Sequence, residues 1–180
     1  MDRAGTAEKI LDVAESLARH GGYGGFSFRD LASAVGIKSA SVHYHFPTKE
    51  ALGVAMTQRY NDRFLDSLGD PRDSRSVAEK RQAFIAGFRA ALVEENLMCL
   101  CGVLGAESAS LPQPVAAAAR GFFERTRDWL LEALETDPAL GDAKAREVAA
   151  LELVARLEGA MIMAQSLQDV SVFDRVAASG

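Results

Sequence analysis

Between Ser27 and Lys49 the chain reads SFRDLASAVGIKSASVHYHFPTK, a stretch that leaves little freedom in what can be built from it. Ser27 and Asp30 have the S-x-x-[DE] spacing of a capping box, in which two side chains satisfy backbone N–H groups at a helix start. Phe26 and Leu31 fall at the N′ and N4 positions of a hydrophobic staple over the same turn. The helix so opened should run to about Val35 and stop at Gly36, because glycine takes the left-handed conformation that ends helices. A second short helix opens at Lys38 or Ser39 and must close before Pro47, which has no N–H and disfavours helix in the residue before it. Thr48 then caps a long helix to about Leu68. Two short helices across a tight turn, followed at once by a long one, form a helix-turn-helix pattern.

Apolar spacing divides the faces of these helices. Phe28, Leu31, Ala32, Val35, Ile37, Val42 and Phe46 should hold the pair against a preceding helix. Ala32 stands where the two backbones approach most closely. That leaves Ser39, Ala40, Ser41, His43, Tyr44 and His45 on the outer face or its margins. Hydroxyls, imidazoles and backbone N–H groups at a helix start bond phosphate oxygens and base edges, so this is the composition of a recognition helix. Ser27, Arg29 and Lys38 flank it. Lys49, in the first turn of the long helix, adds its charge to the positive end of that helix's dipole and favours a phosphate there. His43 and His45 lie two residues apart and point about 200° apart on a helix, so they are a poor metal pair. No metal or cofactor is expected.

Helical periodicity dominates the remainder. The first helix is expected from Thr6 to about His20, with Ile10, Val13, Ala14 and Leu17 as its stripe and the Gly21–Gly25 cluster as its end. After a breaker at 69–74, further helices are expected at about 76–95, 99–109, 113–135 and 143–167, with a short one at 171–177. The fold class is therefore all-α. With 180 residues, 48% of them hydrophobic, a sizeable core is within reach.

The net charge of −5, taken as a whole, argues against a nucleic-acid partner, but it is unevenly spread. Residues 1–60 hold seven basic and six acidic side chains, which leaves thirteen basic against nineteen acidic in the rest. The acidic excess lies outside the motif. No apolar run approaches the roughly 18 residues of a membrane span. Asp2, Arg3, Glu8, Lys9, Asp12 and Glu15 leave no apolar signal segment, so the expected location is the cytoplasm and no membrane partner is expected. Two cysteines, Cys99 and Cys101, are too few and too close for a disulfide framework.

Residues from about Thr6 to Phe64, and FSFRDLASAVGIKSASVHYHFPTKEAL above all, resemble the TetR family of bacterial transcriptional regulators. The family pattern is T-x-x-x-I-A-x-x-A-G-V-S-x-x-x-[LI]-Y-x-[YH]-F-x-x-K-x-x-L. The resemblance implies that Tyr44, His45 and Lys49 touch the DNA backbone. It also implies that Ser39, Ala40 and His43, with Lys38 and Arg29, reach bases or nearby phosphates. His43 departs from the usual tyrosine, and Phe28 lies beside the usual threonine or serine contact. The segment CLCGVLGAE resembles a subgroup reading C-L-x-x-x-L-x-x-E, some members of which respond to electrophiles or oxidants through a nearby cysteine. A thiol at a helix start has a lowered pKa, whereas a free cysteine is commonly a small buried hydrophobe; both readings stand.

The resemblance also implies a helical ligand-binding and dimerisation domain over 49–180, behind a DNA-binding domain over 1–48. The residues themselves point the same way. The helix at 143–167 becomes apolar nearly all round at Leu157, Ala160, Met161, Ile162, Met163, Ala164 and Leu167, as a helix covered on both sides does. An apolar effector site could draw on Phe84, Phe88, Met98, Cys99, Cys101, Phe122, Trp129, Met161 and Met163, with Glu107, Arg156 and Gln165 as polar contacts. The reading is a homodimeric repressor, released from a palindromic double-stranded operator by a small apolar or electrophilic effector. A small helical enzyme or a protein-interaction module is the alternative.

Overall fold

A computed structural model describes residues 3–94 and 96–179. Among them there is no strand. The helices are α1 (Arg3–Gly21), α2 (Phe28–Val35), α3 (Ser39–His45), α4 (Lys49–Leu68), α5 (Val77–Glu94), α6 (Leu100–Ala106), α7 (Gln113–Ala133), α8 (Ala143–Leu167) and α9 (Val170–Ala177), with a 3-10 turn at Tyr23–Gly25. The all-α expectation holds. The helix α1 begins at Arg3 rather than Thr6, and α6 ends at Ala106 rather than 109, with residues 107–110 in turns that lead to Pro112. The end expected for the fifth helix at residue 95 lies outside the described residues.

The chain forms two compact units. One holds residues 1–61 and 100–120, the other residues 62–99 and 121–180. In the first, α2 and α3 pack on each other, α2 packs on α1, and α6 also packs on α1. Ile10, Ala14, Ala18, Leu31, Ala32, Val42, Leu52 and Met56 are buried there. Arg59 on α4 reaches three α1 carboxylates, Glu8 at 2.7 Å, Asp12 at 2.8 Å and Glu15 at 3.4 Å. Glu8, Asp12 and Glu15 are four and three residues apart, so they share one face of α1. That spacing was readable in the sequence; the arginine that it serves was not.

The second unit is built on aromatic rings. Phe64 lies edge-on to Phe84 and Phe88, with centroids 5.7 and 5.3 Å away, and 5.2 Å from Phe122. Trp129 stacks on Phe84 at 5.9 Å and donates its indole N–H to the Gly69 carbonyl at 2.8 Å, so its polar atom is satisfied as its ring is buried. Here α8 packs on α9, and α5 packs on both. Asp142 caps α8 by accepting the Ala145 N–H. The buried residues of α8 are Ala150, Leu153, Val154, Leu157, Ala160, Met161 and Ala164. Its other side leaves Val148, Leu151, Ile162, Met163 and Leu167 exposed.

Candidate nucleic-acid interface

The start of α2 is held as its sequence requires. The Ser27 hydroxyl accepts the Asp30 N–H at 3.3 Å, and the Asp30 carboxylate accepts the Ser27 N–H at 2.8 Å and its hydroxyl at 2.7 Å. These bonds from Ser27 hold the Asp30 carboxyl below the usual carboxylate range. At the other end Gly36, with φ 75°, donates to the Ala32 and Ser33 carbonyls and turns the chain toward α3. Lys38, in extended conformation, is the N-cap of α3.

Phe28, Leu31, Ala32 and Val42 are buried beneath the motif, while Val35, Ile37 and Phe46 are half-buried at its margin. Outside them stand Arg29, Lys38, Ser39, Ala40, His43 and Tyr44, all exposed, with Ser41 and His45 half-exposed. Tyr44 is 64% exposed, an unusual position for a large ring on a helix with a core side available. His43 lies against Phe28 at 4.7 Å and His45 against Tyr44 at 5.3 Å, each edge-on. The protein packing thus orients the two imidazoles through rings. Among the described residues no group of three or more His, Cys, Asp or Glu is arranged to hold a metal ion.

Lys49 opens α4 and is half-buried. Its ammonium donates to the Phe26 carbonyl and lies 4.8 Å from the Tyr23 ring centroid and 4.4 Å from that of Phe26. Burial pushes its pKa down, against the pull of the Asp30 and Glu107 carboxylates. Next to it Thr48 accepts the Ala51 N–H at 3.0 Å, the cap that its position suggests.

The residues considered for an effector site are distributed as follows. Phe84, Phe88, Phe122, Trp129 and Met161 are buried in the second unit, the first four within the ring cluster. Cys99 and Cys101 are 1% and 0% exposed. The Cys101 thiol donates to Asn61 Oδ1 at 3.2 Å inside the first unit. Met98 is half-buried, and Gln165 donates to the Asn96 carbonyl at 2.9 Å. Glu107 turns instead to the 3-10 turn, where it accepts the Tyr23 N–H at 2.9 Å.

A family model described as "Bacterial regulatory proteins, tetR family" matches residues 10–56. A second, "Transcriptional regulator LmrA/YxaF-like, C-terminal domain", matches residues 77–179. A TetR transcriptional regulator from Legionella pneumophila, solved as a crystal structure, is 37% identical. It covers 94% of this chain and 92% of its own, with TM-score 0.88. A TetR family regulator from Agrobacterium tumefaciens is 28% identical over 98% of this chain and 95% of its own, with TM-score 0.89. The biofilm operon icaADBC HTH-type negative transcriptional regulator IcaR of Staphylococcus aureus (strain Newman) is 42% identical over 45 residues. That similarity spans 25% of this chain and 24% of the relative, about a quarter of each. No helix among the described residues is long and apolar enough to cross a membrane. The chain belongs to the TetR family and is a DNA-binding transcriptional regulator rather than an enzyme.

Proposed function

We propose that this chain represses transcription as a homodimer on a palindromic operator and is released by a small apolar effector. The functional division is a DNA-binding head over 1–48 and a sensing and pairing domain over 49–180. The observation that carries the reading is the outer face of α3. Ser39, Ala40, His43 and Tyr44 are exposed together while the Val42 side is closed, as suits a helix laid in a major groove. Arg29, Lys38 and Lys49 supply the phosphate contacts around it, Ser41 a hydroxyl and Ser27 the capped start of α2 that presents Arg29, and Tyr44 and His45 reach the backbone.

The exposed apolar stripe of α8 supports pairing, because a two-fold dimer can match two half-sites. The helix α4 carries Lys49 at its first residue and Phe64 in the aromatic cluster of the second unit, so it is the natural link between sensing and reading. An effector acts only by binding the two states with different affinity. An apolar effector is preferred to an electrophile because both thiols are buried. The relative named as a negative regulator supports the sign of the response over the matched quarter alone.

The test is an electrophoretic shift at low salt, with a duplex carrying the sequence upstream of the protein's own gene. A specific shift at nanomolar protein is expected, and no shift would sink the reading. In the same assay Lys49→Ala should weaken binding to all sequences and lower the salt slope by about one unit per subunit, about two for the dimer. An unchanged slope would assign Lys49 to holding Phe26 alone.

A further inference from the structure

The connection between α1 and α2 is held from a distance. Tyr23 donates its backbone N–H to Glu107 Oε2 at 2.9 Å, across 84 residues of chain. The approach is close enough that a side chain beside it would displace the carboxylate, and the left-handed backbone there favours glycine. Gly22 has φ 77°, and a Cβ there would stand 1.8 Å from Glu107 Oε1. The Tyr23 ring is seated by Gly53 of α4, where a Cβ would stand 2.8 Å from the ring. That ring and the Phe26 ring flank the Lys49 ammonium, which in turn bonds the Phe26 carbonyl one residue before the Ser27 cap. The Glu107 charge acts on Lys49 as well.

We propose that Glu107 is a positioning residue for DNA binding: its carboxylate latches the Tyr23 turn and thereby seats Lys49 and the start of α2. This rests on the DNA-binding reading of α3 and Lys49. Glu107 touches no DNA itself. Its effect passes through one backbone N–H and one ring to the cation at the head of α4. The helix α6, which ends at Ala106 immediately before the latch, is fastened near its start by the Cys101 thiol on Asn61. The reading head is thus tied to α6 by a residue just beyond its end, and a Glu107 side chain of the right length is the requirement.

The experiment compares Glu107→Ala, Glu107→Asp and Glu107→Gln by fluorescence anisotropy, with a labelled duplex from the upstream sequence. Amide hydrogen exchange over residues 22–26 and thermal melting run alongside. Loss of a hydrogen bond to a charged group should weaken binding about tenfold in Glu107→Ala and Glu107→Asp, with faster exchange at Tyr23. Glu107→Gln keeps an acceptor oxygen at the same reach and should bind within about threefold of the parent protein. The aspartate variant keeps charge and polarity, so it decides the matter if the alanine variant folds poorly. Parent-like binding by Glu107→Asp, or unchanged exchange at Tyr23, overturns the latch while the regulator reading stands. A parent protein that binds no such duplex overturns both, and the exchange data then report whether the turn is held by Glu107 at all.

Discussion

Phe122→Ala should lower the free energy of unfolding by about 3–5 kcal/mol, the usual cost of emptying a fully buried phenylalanine site. Phe122 is 0% exposed and lies 5.2 Å from the Phe64 ring, 5.4 Å from Phe123 and 6.5 Å from Phe88. Those neighbours are large rings on several helices and cannot collapse together into the space. Whole domains are stable by about 5–15 kcal/mol, so the variant should be near unfolding at 37 °C. Urea denaturation checks this: the midpoint should fall with the slope unchanged. A loss under about 1 kcal/mol would mean that the rings border a hollow that closes on truncation, as the lining of an effector site would.

Glu158→Gln should make the protein more stable at pH 8 by about 3 kcal/mol and leave it nearly unchanged at pH 4. Both carboxylate oxygens of Glu158 are out of contact with solvent. Burial pushes its pKa from 4.5 up to about 7, with the Cys99 thiol acting the other way. The folded state therefore holds a proton that the unfolded chain gives up at lower pH. Stability falls as pH rises from about 4.5 to about 7, and above that the full penalty is present. Glutamine has no such ionisation. Melting temperatures of parent and variant at pH 4, 6 and 8 should diverge progressively. Parallel curves would show that Glu158 ionises in the folded protein as it does in the unfolded one.

Much of this molecule was legible along the chain because its signals are local. The capping box of Ser27 and Asp30, the stop at Gly36 and the cap at Thr48 each operate within four residues and lie where their spacing puts them. The split of α3 into a buried Val42 and exposed Ala40, His43 and Tyr44 follows from helical period, while Ser39, on the Val42 side, is exposed because it opens the helix. The 3-10 turn at Tyr23–Gly25 was hidden in a glycine cluster that reads equally well as a loop. Glu107 stands among the candidate polar contacts in the sequence, and its bond to the Tyr23 N–H is visible only in the fold.

The limit is sequence separation. Helix type, helix ends and the outward face of the reading helix depend on neighbours three or four residues away, and their pattern is written in the residues. The partners of Lys49, Arg59 and Glu107 lie 23, 44–51 and 84 residues away in sequence. Such pairs form only once packing brings distant helices together, and no spacing rule encodes them. The motif between Ser27 and Lys49 therefore identified a DNA reader without help, whereas the seat that holds its basic flank in place emerged from the fold.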